Sequence, residues 1–314
     1  MLKNALVYRI DSWTPPAAEE LEVRLQAARF TEGSATQVEA AGWVEPRGEQ
    51  HGALAESVAG QWMLSFCIET RGVPGAAVRR RLDEQLRRIE VETGRRPRGK
   101  HSKEIKEQIV HELLPRAFPK RSTTPVWIDA QRHCVMVGSA SQKRADRVVT
   151  ALVEALGAGT VLRLVQTEVA PATAMAQWLR DKTGPAGFSI DRECELRQPD
   201  SDKATVRYSR HMLDIDEVAT HVEQGKLPTQ VALTWEGRVS FVLTDTMGLK
   251  KIALQDVVLE GSAGPDGENA GFDADVALTT GELGPLVRDL LEALGGELDR
   301  DAMAMGVVPD TVPA

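Results

Sequence analysis

Val78-Arg79-Arg80-Arg81-Leu82-Asp83-Glu84-Gln85-Leu86-Arg87-Arg88-Ile89 runs on through three residues into Thr93-Gly94-Arg95-Arg96-Pro97-Arg98-Gly99-Lys100. The apolar positions 78, 82, 86 and 89 recur at helical spacing, so a helix with one narrow stripe is expected. Gly94 and Pro97 end it, because neither sustains a helix interior. A second helix follows, marked by Ile105, Ile109, Val110 and Leu113 and closed at Leu114-Pro115. Narrow stripes surrounded by charge suit two helices packed on each other as a projecting basic hairpin, rather than helices sunk in a core.

Outward from this arm the pattern changes. Ala5 to Ile10, Gly42-Trp43-Val44, Trp62 to Ile68, Pro125 to Asp129, Cys134 to Val137 and Val161 to Val165 are short apolar runs that predict strands. Thr14-Pro15-Pro16 opens a helix carrying Leu21 and Leu25, and helices are expected over 141–156, 171–181 and near 280–294. Residues 203–209 and 226–252 alternate as antiparallel strands do, with a hairpin at Glu236-Gly237. Gly261 to Gly271 suggests a loop. Strands with interspersed helices but few strand-helix-strand units predict an α+β fold with mixed and antiparallel sheets. Three regions are expected: 1–74 together with 120–165 as a first α+β region, 75–119 as the basic helical arm, and 166–314 as a second α+β region with an acidic end.

The 314 residues are 42% hydrophobic and 27% charged, a composition that excludes a disordered chain. No run approaches the roughly 18 apolar residues of a membrane span, and no secretion signal is legible at the N-terminus. Cys67, Cys134 and Cys194 are far apart and odd in number, as expected of reduced buried thiols in the cytoplasm. The net charge of -8 argues against nucleic acid until it is divided along the chain. Residues 1–70 hold 5 basic and 10 acidic side chains, 71–150 hold 19 and 9, and 151–314 hold 14 and 27. The middle segment is therefore net +10, and half of the 38 Lys and Arg lie in it.

Several motifs invite chemistry and fail. Gly94 to Lys100 has the glycines and Lys of a phosphate loop, but His101 stands where a Ser or Thr should hold magnesium, and a charged helix precedes it. His111-Glu112 begins like a zinc-protease helix, yet Pro115 occupies the second His position. Asp273 and Asp275, and likewise Asp214 and Asp216, flank one residue. On a strand such pairs share a face and could bind magnesium for a nuclease. The simpler reading makes Asp214 and Glu217 a helix capping box and sets Asp273 and Asp275 at a solvent-facing strand end. No catalytic residue, metal or cofactor is expected.

The basic segment survives this sifting. It comprises Arg79, Arg80, Arg81, Arg87, Arg88, Arg95, Arg96, Arg98, Lys100, Lys103 and Lys106, then Arg116, Lys120, Arg121, Arg132, Lys143, Arg144 and Arg147. Pairs such as Glu84 with Arg88 neutralise part of it, but a surplus remains. Its target is either nucleic-acid phosphates or the acidic C-terminal region of this or another subunit. Phe118 and Trp127 are too few for base stacking on single strands, and no helix-turn-helix, zinc finger or RNA-binding signature is present. Within the nucleic-acid reading, backbone contact with duplex DNA remains.

Several blocks, in order, resemble the RdgC family of bacterial recombination-associated proteins. They are Leu6-Val7-Tyr8-Arg9, Gly42-Trp43-Val44, Leu113 to Phe118, Trp127-Ile128-Asp129, Phe272 to Asp275, Thr280 to Leu283 and Leu294 to Glu297. The resemblance covers nearly the whole length. It implies a DNA-binding protein of cytoplasm and nucleoid that is not an enzyme. It further implies a ring-shaped homodimer encircling double-stranded DNA with little sequence preference and restraining the RecA recombinase. Arg116 and Phe118 lie in a matching block, Lys143 and Arg144 match a basic pair, and Arg95 to Lys106 match by charge alone. The DNA-contacting set implied is Arg79, Arg80, Arg87, Arg88, Arg95, Arg96, Arg98, Lys100, Lys103, Lys106, Arg116, Lys120, Arg121, Lys143, Arg144 and Arg147.

Overall fold

In chain order the strands and helices begin with β1 (Leu6–Asp11), α1 (Ala18–Ala27), β2 (Glu39–Val44), β3 (Ala55–Val58) and β4 (Gln61–Arg71). Then come α2 (Gly75–Thr93), α3 (Gly99–Leu113), β5 (Pro119–Asp129), β6 (Cys134–Val137), α4 (Gln142–Leu156) and β7 (Val161–Leu164). The rest are α5 (Pro171–Asp181), β8 (Phe188–Arg197), β9 (Thr205–Ser209), α6 (Asp216–Glu223), β10 (Leu227–Trp235), β11 (Val239–Thr244), β12 (Leu249–Leu254), α7 (Asp256–Glu260) and α8 (Glu268–Ala293). This computed structural model describes residues 2–11, 13–200, 204–260 and 268–298, with backbone alone at 260 and 268–270. Of the expected Gly261-to-Gly271 loop, 261–267 lie outside the described residues, as does the tail from Asp299, and 268–271 are helical instead, as the start of α8. The fold is α+β with antiparallel sheets.

The chain forms two compact units. The first takes the described residues of Met1–Ala17, Ala55–Met63 and Pro125–Ala314. Here β5, β6, β1 and β7 pair in that order, with Leu6 opposite Val137 and Tyr8 opposite Leu164. A second sheet runs β12-β11-β10-β8-β9, antiparallel throughout. The turn joining β10 to β11 is the one the sequence signals: Glu236 and Gly237 both take positive φ, 48° and 65°, in a three-residue loop between the paired Trp235 and Val239. Helix α8 buries Leu283, Leu286 and Leu290, and Leu294 just past its end, one every three or four residues, in the same apolar cluster as Val231, Leu243 and Trp235.

The second unit takes Ala18–Leu54 and Leu64–Thr124. In it β2 pairs antiparallel with β4, and β4 neighbours β5. Gly42 is required by close approach, since a Cβ there would stand 2.5 Å from the Phe30 backbone. Phe30 in turn donates its N–H to Trp43 O at 2.9 Å, and Trp43 is fully buried against Phe66. That gives one matching sequence block a physical reason.

Two sequence expectations are corrected. Asp273 and Asp275 sit on α8, not at a strand end. Helix α6 starts at Asp216, its N-cap is Ile215, and no side chain caps it, so Asp214 and Glu217 form no capping box. Asp216 instead pairs with Lys182 at 2.6 Å.

Candidate nucleic-acid interface

Helices α2 and α3 bury Val78, Leu86, Ile105 and Ile109 in one cluster, with Leu82, Ile89, Val110 and Leu113 packed beside it. Between them Gly94 takes φ 71°, left-handed, and its N–H reaches Glu90 O at 2.8 Å. A side chain there would be strained, which is why the helix can stop and reverse at this point. Thr93 Oγ1 donates to Ile89 O at 2.7 Å and secures the last turn. With the apolar stripe turned inward, every candidate Arg and Lys from 79 to 106 is exposed. At about 100° per residue, Arg80 and Arg87 fall opposite the stripe of α2, while Arg79, Arg81 and Arg88 flank it.

The structure redistributes the charge surplus. Helix α3 carries three Lys against three Glu, and α2 five Arg against four acids. The connector between them, 94–98, has Arg95, Arg96 and Arg98 and no acid. Pairing trims the helices further: Arg81 meets Glu84 at 3.4 Å, Arg88 meets Glu92 at 3.5 Å and Lys100 meets Glu104 at 4.0 Å. Arg96 folds back to Asp83 at 3.4 Å and Glu90 at 3.8 Å. Arg79, Arg80, Arg87, Arg95, Arg98, Lys103, Lys106, Arg116 and Lys120 make no ion pair among the described residues. The uncompensated charge of this pair of helices thus concentrates at the reversal, where a cleft of about 790 Å³ is lined by the three arginines and His101.

A single turn of 3-10 helix, Leu114–Arg116, leads into β5. Phe118 is 93% exposed there, between Arg116 and Lys120. Arg121 is engaged differently. It donates to the buried carboxylate of Glu69 at 2.7 Å, also pairs with Glu32, and lies 5.3 Å over the Phe30 ring. The Arg121 hydrogen bond holds the Glu69 carboxyl below the usual range, and the two carboxylates raise Arg121. Arg121 therefore helps hold the second unit together, a role its place in a basic run does not reveal.

In the first unit, Lys143, Arg144 and Arg147 are exposed on α4. Lys143 and Arg144 stand in its first turn, and Ser141 at the N-cap makes no side-chain capping bond. Helix α3 has the same arrangement: N-cap Arg98 gives no side-chain bond, the first turn has no acid, and Lys100 and His101 occupy it. Helix N-termini favour negative groups by about 0.3–1 kcal/mol, so cations there run against the helix dipole. The N–H groups of such a turn and its cations can satisfy the same anion. Arg132, also in the first unit, is bound to Asp129 at 2.9 Å.

Two residues on a helix are about 200° apart, so Asp273 and Asp275 face different ways. Among the described residues, no group of three or more His, Cys, Asp or Glu could hold a metal ion. The three cysteines are free and buried, and burial pushes the Cys134 thiol to about 11 and Cys194 to about 12.

Fold and surface together define an α+β protein whose exposed, unpaired cations gather at a helix reversal and at helix N-termini. Against known proteins, the family model RdgC, described as "Putative exonuclease, RdgC", matches residues 1–297. The chain is 39% identical over 302 residues to the recombination-associated protein RdgC of Dechloromonas aromatica, covering 94% of this chain and 98% of the relative. It is 38% identical over 296 residues to that of Cupriavidus pinatubonensis and 36% over 296 to that of Bordetella pertussis, each at 94% and 98% coverage. The chain belongs to the RdgC family of recombination-associated proteins.

Proposed function

We propose that this protein binds double-stranded DNA through its phosphates, without reading sequence, as a homodimeric ring that encircles the duplex and moderates the RecA recombinase at the nucleoid. The observation that carries the DNA reading is the set of exposed cations with no ion pair among the described residues, led by Arg95 and Arg98. Basic first turns at α3 and α4 support it, because they are disfavoured unless an anion arrives. The surplus Arg and Lys present charge and few aromatic faces, which suits backbone contact over base stacking. A ring would let the acidic remainder of the chain face away from the duplex. Phe118, 93% exposed within the basic run, is an apolar contact suited to a second copy.

The test is a salt titration on two unrelated duplexes, with linear and covalently closed DNA compared and the mass measured in solution. Affinity should fall with log salt by about 0.9 per phosphate contact and equally for both sequences. A flat salt dependence refutes the DNA reading. A monomer mass, or equal binding to linear and closed DNA after the ends are blocked, refutes the ring. Nuclease activity is the second reading, favoured by the family model's printed description. Incubating labelled duplex with magnesium or manganese separates the two, since a clamp leaves the DNA intact. A protein-interaction module, the third reading, predicts no shift of DNA by the purified protein at physiological salt.

A further inference from the structure

The first unit contains a cleft lined by none of the residues named for DNA contact. Strand register builds its floor. Trp127 of β5 stands opposite Met136 of β6, and Asp129 opposite Cys134, while Arg9 of β1 flanks Cys134 from the other side. Alternate strand residues share a face, so these five look the same way. The opposing wall is one face of α8, with Gly284, Val287, Arg288 and Leu291 at the i, i+3, i+4 and i+7 positions. The space between holds about 450 Å³, within the roughly 300–1,000 Å³ usual for small-molecule sites. Gly284 helps to open it, since a Cβ there would stand 3.1 Å from the Arg132 guanidinium and 3.9 Å from the Trp127 ring.

Every charged side chain lining the cleft already has a partner. Arg9 binds Glu297 at 2.6 Å, Arg132 binds Asp129 at 2.9 Å and Arg288 binds Asp289 at 2.9 Å. Asp129 also accepts the Gln131 and Arg132 backbone N–H groups at 3.1 and 3.0 Å. Burial pushes the Cys134 thiol up to about 11, so it carries no charge near neutral pH. A charged ligand would find no free counter-charge here and would have to break one of these pairs. What stays open to a ligand is flat and soft. The Trp127 N–H is taken by Gln61 Oε1 at 2.7 Å, which leaves its ring for contact. The Met136 thioether is polarisable and packs well against aromatic rings. A paired guanidinium such as that of Arg132 still offers its planar face for stacking.

We propose that this cleft binds a neutral, planar aromatic molecule, held between the Trp127 and Met136 floor and the α8 face at Gly284, with the Arg132 guanidinium beside its ring. Neutrality follows from the closed ion pairs, and aromatic character from the indole, sulfur and guanidinium surfaces that remain.

Indole is the probe, with indoleacetate and tryptamine as its anionic and cationic analogues. The full-length protein is isotope-labelled at its methionine methyls, and the Met136 signal is assigned with Met136→Leu. Indole should shift that signal saturably and give NOEs from its ring protons to the Met136 methyl. It should bind at least about tenfold more tightly than either charged analogue. Gly284→Leu, whose side chain fills the gap, should abolish the shift while melting close to wild type. The NOEs are read in the wild type, so a poorly folded Gly284→Leu leaves the test intact. No saturable shift, no NOE to Met136, equal affinity for a charged analogue, or a shift retained in folded Gly284→Leu overturns the proposal.

Discussion

Replacing Arg95 and Arg98 together by Ala removes two cations that make no ion pair among the described residues and sit where the surplus of the α2–α3 pair concentrates. If each meets one phosphate, the slope of log affinity against log salt becomes shallower by about 1.8. From 50 to 200 mM salt, a change of about 0.6 log units, the wild type would therefore lose about tenfold more affinity than the double variant does. Fluorescence anisotropy on two duplexes of unrelated sequence, at four or five salt concentrations, reads this directly. Stability should move by no more than about 0.5 kcal/mol, because both side chains are exposed and unpaired. Arg96→Ala is the internal comparison. Its guanidinium is shared with Asp83 and Glu90, so it would contribute less to a phosphate, and its loss frees two carboxylates beside the proposed phosphate contacts. A slope unchanged to within about half a unit in the double variant, or a loss confined to one duplex, refutes phosphate contact at the reversal.

Three further outcomes are expected. Gly42→Ala should cost at least about 2 kcal/mol in chemical denaturation, because the new methyl meets backbone rather than a yielding side chain; a neutral result would mean β2 is not pinned at Phe30. The carboxyls of Glu69, through Arg121, and Glu195, through Arg207 and then Thr229, lie below their unfolded values. Their stabilisation is therefore complete above about pH 4.3 and lost as pH falls through the folded values; Glu195→Gln should flatten the melting profile below pH 4.3, and an unchanged profile would count against the pairing. Phe118→Asp should leave the melting temperature near wild type while shifting the solution mass toward monomer, and an unaltered mass would remove Phe118 from any contact between copies.

Much of the fold was legible where one physical signal dominates. Pro171 at the start of α5, the αL-competent Gly94 and the Glu236-Gly237 turn each mark a boundary that backbone geometry enforces. Helix α8 was read short at its start, because the Gly-rich stretch running to Gly271 argues locally for a loop. Buried Val276 anchors that first part through tertiary packing, which no local window reveals. The same limit misplaced Asp273 and Asp275. The polar beginning of β5, from Lys120 to Thr123, was likewise not legible as strand, since a neighbouring strand supplies the pattern its own side chains lack. For the candidate interface, sequence located the basic segment but not its pairing. Distinguishing Arg95, unpaired, from Arg121, bound to a buried carboxylate, needs contacts 52 residues apart.

The cationic first turns of α3 and α4 also bear on what the free protein's stability means. Each helix opens against its own dipole, so each is held by packing somewhat more weakly than its length suggests. Any polyanion that settles there adds its binding free energy to folding, about 2.7 kcal/mol at a hundred times its dissociation constant. Local opening at Lys100 and at Lys143 should then be governed by occupancy rather than by temperature alone. If DNA is that polyanion, as proposed, amide exchange at these two turns becomes a gauge of occupancy, and a melting temperature measured without it describes only the unoccupied fraction.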